Sequence, residues 1–273
     1  MQKIIIIISL SCIGATLPAL CQQAYYSYAA PHLFSANAGG RFTNALNAGF
    51  NPSLLPYIKN VQAATYAEKK YATDLNILLL TICAPVHNNS ISLIFQRFGN
   101  ASFNENTFGL SYGKNIGRIN VGLAFQRLRV RIPDAEMVSL IKAGIASSMK
   151  VGENVFVSCR ISNPNLFAKT GSAKLRAASS FSLSFGFEAT AEVYTAIESL
   201  KEEGRPLSLI FSLNYRLAEK FTCTLNWSTY TNQPFVAISW QQKLIAVEAG
   251  CSYHATLGAS PAISLLFKKP EEK

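Results

Sequence analysis

From about residue 60 onward, apolar residues recur at every second position with small or polar residues between them. In residues 207–216 the odd positions hold Leu207, Leu209, Phe211, Leu213 and Tyr215, and Ser208, Ser212, Asn214 and Arg216 stand between them. Successive side chains of a strand point to opposite faces, so a period of two is strand periodicity. Fourteen such segments follow one another, at approximately residues 61–70, 73–84, 89–98, 103–113, 116–131, 135–148, 153–162, 175–187, 190–200, 206–216, 220–230, 234–242, 244–254 and 261–268. In a soluble protein the apolar face of such a sheet needs a second layer over it. The row Phe181, Leu183, Phe185 and Phe187 is too large to stay uncovered in water. A wall facing lipid needs no second layer, so the pattern predicts an all-β fold: a transmembrane antiparallel β-barrel of about 14 strands, apolar outside and polar inside. A soluble secreted β-protein is the alternative, and it would have to cover that outward face.

The connections alternate in the same sense. Short, punctuated turns such as residues 112–117, 150–153 and 217–220 follow the even strands, and longer connections at 131–136, 162–174 and 201–206 follow the odd ones. Short periplasmic turns and longer outer loops are the expected asymmetry of such a barrel. Ahead of it, Met1-Gln2-Lys3, the mostly apolar residues 4–17 and Ala19-Leu20-Cys21 read as a signal peptide cleaved before Gln22. A membrane anchor and a lipoprotein reading at Cys21 or Cys12 are the alternatives. The predicted division is 1–21 signal peptide, 22–60 N-terminal segment, 61–268 barrel and 269–273 C-terminal tail.

Composition excludes more than it identifies. The formal charge of +10 comes from basic residues scattered among loops and strand ends with no nucleic-acid-binding module, so no nucleic-acid partner is expected. Cys83, Cys159, Cys223 and Cys251 lie far apart at odd positions among apolar neighbours and show no CxxC pair, which predicts small lipid-facing residues on separate strands rather than a disulfide framework or a metal site. No catalytic residue, metal or cofactor is expected: HExxH and Walker patterns are missing from the sequence, and the nearest Ser/His candidate, Ser252 with His254, is read as structural.

Gly39-Gly40 and then Asn51-Pro52-Ser53-Leu54-Leu55, just before the first strand, resemble the Gly-rich stretch and Asn-Pro-Ala motif that open FadL-like outer-membrane barrels. Gly250-Cys251-Ser252-Tyr253-His254, with Leu257-Gly258-Ala259-Ser260-Pro261 before the final strand, is similar to the PorV/PorQ-like barrels of Bacteroidota. The chain departs from the family at Ser53, where the motif has Ala, and in the charged tail that follows Phe267. The resemblance implies a non-enzymatic protein of the Gram-negative outer membrane, with either of two roles: an envelope scaffold or secretion-associated component in a type IX setting, or a transporter of small hydrophobic molecules. Implied partners are outer-membrane lipid and lipopolysaccharide, secretion-system or surface proteins, or a hydrophobic small molecule.

The resemblance also implies that residues 24–55 fold into the barrel mouth as a plug. Gly39 and Gly40 would allow tight turns and Pro52 would fix the approach to the first strand. A floppy leader is the other reading, but few charges and many aromatic residues argue against disorder. Inward parity places Lys142, Arg160, Glu192, Glu198 and Glu248 in the lumen, where they either line a pathway or pair and fill it. Arg127, Arg129 and Arg131 share one parity at the outer rim. Two readings stand for them: contact with lipopolysaccharide phosphates through the bidentate guanidinium, or a solvated loop edge paired with Asp134 and Glu136.

Overall fold

The computed structural model describes residues 23–25, 38–87, 89–133, 137–163 and 175–269, and the statements that follow concern these. The predicted signal peptide, most of the 162–174 connection, Asp134, Glu136 and residues 270–273 of the predicted tail lie outside them. In chain order the elements are β1 (Gln23–Tyr25), α1 (Ala45–Phe50), a 3-10 helix Pro52–Tyr57, β2 (Gln62–Lys69), a 3-10 turn Lys70–Ala72, β3 (Asn76–Val86), β4 (Asn89–Gly99), β5 (Asn104–Ile116), β6 (Ile119–Arg131), β7 (Val138–Lys150) and β8 (Val155–Ser162). They continue with β9 (Leu175–Ala177), β10 (Ser180–Glu188), β11 (Val193–Glu202), β12 (Leu207–Ala218), β13 (Phe221–Ser228), β14 (Gln233–Gln242), β15 (Ile245–His254) and β16 (Gly258–Lys268).

β2–β8 and β10–β16 form a closed antiparallel barrel of 14 strands, each paired with its neighbours in sequence. β16 closes onto β2, with Phe267 opposite Ala63, and β8 meets β10, with Val157 opposite Phe185. Closure leaves no unpaired edge, which is the condition for a sheet to cross hydrocarbon. All fourteen predicted strands are present. The predicted eighth strand, 175–187, is instead two pieces. β9 pairs in parallel with β1 outside the barrel, and β10 begins at Ser180. Asn163 holds the break: its Nδ2 donates to Ala178 O at 2.9 Å, and its carbonyl accepts from Ser179 Oγ at 2.5 Å. The last strand starts at Gly258, whose φ is 88°, three residues earlier than its sequence pattern indicated.

Both ends of the barrel chain, Gln62 and Lys268, pair at the end that carries the short turns, among them Gly117-Arg118, Glu219-Lys220 and Lys243-Leu244. By the usual asymmetry this is the periplasmic end. Outward positions are apolar and exposed all round the wall, as at Leu93, Leu110, Phe185 and Leu213. Exposed aromatic residues flank that belt: Tyr112, Tyr215, Phe221, Trp240 and Phe267 toward the turn end, and Phe181, Trp227 and Tyr253 toward the loop end. This is the girdled apolar band of a barrel whose solvent is a bilayer.

The inward face is mostly small and polar, with Ser90, Ser92, Ser111, Ser148, Ser158 and Ser184 all buried. On one side it is apolar instead. Leu46, Leu54, Leu55 and Ile58 pack there against Tyr66, Ile77, Leu79, Cys83, Ile94 and Phe98. β3 is therefore apolar on both faces, outward at Leu78, Leu80 and Ile82 and inward at Ile77, Leu79 and Cys83. This corrects the lipid-facing placement of Cys83. Its sulfur lies 3.7 Å from Ala45 O, fully buried, because α1 needs an apolar wall behind it. Cys159, Cys223 and Cys251 do share the outward parity of their strands.

Candidate functional site

The lumen is organised by residues 38–58, which lie against the inward faces of the strands. Asn44 caps α1, its Oδ1 accepting from Asn47 N at 3.2 Å, and Ala45 N donates to Gln62 Oε1 on β2 at 3.1 Å. Six residues later Asn51 ends α1 and caps the 3-10 helix, accepting from Ser53 N at 3.3 Å and from Ser53 Oγ at 2.8 Å. Pro52 occupies the first turn of that helix, where no N–H is needed. The departure at Ser53 thus brings a hydroxyl that finds its partner inside the same turn. Asn51 Nδ2 donates to Ser158 Oγ at 3.3 Å, and Ser148 Oγ donates to Ser53 O at 3.0 Å, fixing the turn to β8 and β7.

Two wall glycines make room for it. A Cβ on Gly113 would lie 2.7 Å from Pro52 O and from Leu55 Cβ, and one on Gly122 would strike the Pro52 carbonyl and Ser53 N. Gly39 and Gly40 act by close approach as well, since neither has a positive φ: Gly39 faces the Tyr194 ring and Gly40 the Tyr57 ring. The two glycines thus lead into the turn at Arg41-Phe42 while giving room to the two rings, and Pro52 opens a 3-10 helix rather than leading directly into β2. Tyr194 Oη accepts from Ala38 N at 2.8 Å and Gly39 N at 3.2 Å, with Phe42 stacked on its ring. Arg41 reaches Glu188, its Nε 3.6 Å from Oε2 and its backbone N donating at 2.9 Å to Oε1. Burial lifts the Tyr57 phenol above its ordinary value, against the smaller opposite effect of hydrogen bonds with Ser148 and Asn120, so it is un-ionised at neutral pH.

Of the charges expected in the lumen, Arg160 and Glu198 come together, with Nη2 3.5 Å from Oε1, and Arg160 Nη1 donates to Phe50 O at 3.0 Å. Glu248 faces inward and accepts from Ser264 Oγ at 3.4 Å. Glu192 is misplaced by the inward-parity rule. β11 begins only at Val193, so Glu192 sits exposed in the turn before it, where its carbonyl accepts from Arg216 N. Lys142 lines a cavity of about 140 Å³ in the loop-side half of the lumen, with Gln96, Gln126, Arg160 and Glu202 around it and Phe50 and Pro52 as its floor.

A second buried cluster was not expected from the sequence. Glu68 accepts from Tyr66 Oη at 3.0 Å, Lys70 Nζ at 2.7 Å and Ser252 Oγ at 3.3 Å. Tyr71, at φ 51°, folds over it, donating its N–H to Ser260 Oγ and accepting from Gln233 Nε2 at 2.7 Å. The inward parity of Ala64, Tyr66 and Glu68 was a usable signal for Glu68. Lys70 follows the strand's end, where periodicity says nothing. Ser252 is bonded to Glu68, and His254 Nδ1 accepts from Thr256 N and Leu257 N at 3.2 Å, so the two do not form a nucleophile and base. Among the described residues no group of three His, Cys, Asp or Glu is placed to hold a metal.

Closure, register and the girdled belt define an outer-membrane β-barrel. No protein-family model matches the sequence, and no curated protein does. Among solved structures the chain is similar in fold to a mutant of the Rhodopseudomonas blastica porin, at 7% identity, 77% of this chain and 99% of that chain covered, TM-score 0.46. It is also similar to the KdgM porin, at 10% identity, 77% and 100% covered, TM-score 0.44.

Proposed function

We propose that this is a non-enzymatic envelope barrel held shut by its own N-terminal segment, acting as a scaffold or secretion-associated component, in a type IX setting, rather than as a diffusion pore. In this reading residues 22–60 are a hatch, 61–268 the wall, 1–21 a cleaved export signal and 269–273 a short tail. The observation that carries it is the fit of Pro52 and Leu55 against Gly113 and Gly122, with Leu54 and Leu55 essentially without solvent exposure. An open channel gains nothing from glycines that seat a chain segment against its wall. The FadL-like resemblance supports the shut barrel, since the residues that carry it, Gly39, Gly40, Asn51 and Pro52, are those that lock the segment in place, and the PorV/PorQ-like resemblance of residues 250–254 and 257–261 supports the secretion-associated role.

Passage of a small hydrophobic molecule is the second reading, favoured by the loop-side cavity floored by Phe50 and Pro52. Liposomes containing the protein test both. The scaffold reading expects neither swelling in small sugars nor faster entry of a fluorescent fatty acid than in protein-free liposomes. Accelerated fatty-acid entry would replace it with transport, and swelling would exclude a shut barrel.

A further inference from the structure

The arginines on β6 belong to a larger surface. Arg127, Arg129 and Arg131 all point outward, and the register adds a fourth: Arg97 on β4 is opposite Asn106 on β5, which is opposite Arg129. Arg97 and Arg129 therefore stand in one row two strands apart, about 10 Å. Arg127 is one row lower, level with Phe108 and Phe95 and at the top of the apolar belt, with Phe125 and Leu110 beneath it. Its Nε donates to Ser139 Oγ at 3.1 Å; Ser139 is opposite Arg129, so the side chain is turned up toward the rim.

No acidic side chain faces outward from β3–β7, and the described residues pair none of the four guanidinium groups with a carboxylate within salt-bridge distance. Asp74, in the connection above β3, shares a groove with Arg97 without such a pair. Four cations at the lipid-facing edge of a barrel call for anions supplied by the bilayer. Guanidinium forks match phosphate bidentately, and the rings directly beneath would meet acyl chains. We propose that Arg97, Arg127, Arg129 and Arg131 form a docking site for a phosphorylated saccharolipid of the outer leaflet, of the lipopolysaccharide type. Phosphate oxygens sit on the guanidinium groups and the acyl chains lie over Phe95, Phe108 and Phe125. The site faces away from the lumen and does not depend on whether the barrel is shut.

The test is native mass spectrometry of the full-length folded protein, released from micelles carrying diphosphorylated lipid A, enzymatically dephosphorylated lipid A, or neither. Wild type is expected to retain the diphosphorylated lipid at least tenfold more than the dephosphorylated one, and Arg97→Gln/Arg127→Gln/Arg129→Gln/Arg131→Gln is expected to lose that preference. Lys201→Gln, which removes an outward cation on the far strand β11, is expected to keep it. Should the fourfold Gln variant fail to fold, the fourfold Arg→Lys variant keeps the charge without the fork and is expected to bind several-fold more weakly than wild type. Equal retention of both lipids by wild type, undiminished preference in the Gln or Lys variant, or displacement of the lipid by 10 mM inorganic phosphate would each overturn the site.

Discussion

The carbonyl of Pro52 and the α-carbon of Gly113 approach so closely that a methyl group on Gly113 would lie 2.7 Å from the Pro52 oxygen, and Gly122, opposite it on the neighbouring strand, is covered at least as tightly by Pro52 and Ser53. The wall of the barrel is thus shaped to the segment it encloses. Substituting either glycine acts on the segment before it acts on the strands, whose hydrogen bonds are made with one another.

Gly122→Val should therefore lift residues 51–55 off the wall while the barrel stays closed. Cys83 reports the change because it is sealed behind α1. In the folded wild type it should resist a small water-soluble maleimide. In Gly122→Val it should react at least tenfold faster, with β-type circular dichroism and heat-dependent gel mobility unchanged.

The outward cysteines should behave differently. Cys223 is opposite Ile238 and Cys251 opposite Val236, on the two sides of β14. That is two strand spacings, roughly 10 Å, beyond the Cα separation of a disulfide. Cys159 is farther round the wall on β8. In lipid vesicles all three should react with a lipid-soluble maleimide and not with a charged one, and intact mass of the unfolded, unreduced protein should show Cys83, Cys159, Cys223 and Cys251 all alkylatable.

Glu198 is buried and Arg160, its partner, largely so, and removing the arginine leaves the Glu198 carboxylate stranded. Arg160→Leu should cost about 3–5 kcal/mol, and Arg160→Leu/Glu198→Leu should recover much of that loss. Urea unfolding from lipid vesicles, followed by tryptophan fluorescence, measures both. A single variant as stable as wild type would mean that the pair is solvated.

At the middle of the belt Leu93 is opposite Leu110, both outward and exposed to lipid. Leu93→Arg should destabilise the inserted barrel by about 2–4 kcal/mol, the depth-dependent cost of a cation on the lipid face. The same unfolding assay reads it.

The strands were legible because a closed sheet between lipid and a polar lumen enforces a strict period of two. Legibility failed where that contrast failed. Ile77, Leu78, Leu79 and Leu80 are apolar on both parities because α1 lies behind β3, so Cys83 took the wrong face. Glu192 followed parity past the end of its strand. Asn51 and Pro52 were singled out by resemblance, but their partners Ser148, Ser158, Gly113 and Gly122 lie on distant strands, and only the glycines inside strands, a mark of close backbone approach, pointed to them. The Glu68–Lys70 network depends on Tyr71 turning back at φ 51°, which no periodic rule anticipates.

Planar-bilayer conductance tests the shut barrel most directly. The intact mature protein should conduct ions poorly, and deleting residues 24–50, which removes α1 and the Gly39-Gly40 contact with Tyr194 and Tyr57, should raise conductance in a variant shown by heat-dependent gel mobility to be inserted and folded. Equal conductance before and after the deletion, or an intact protein already as conductive as an open pore, would contradict the account.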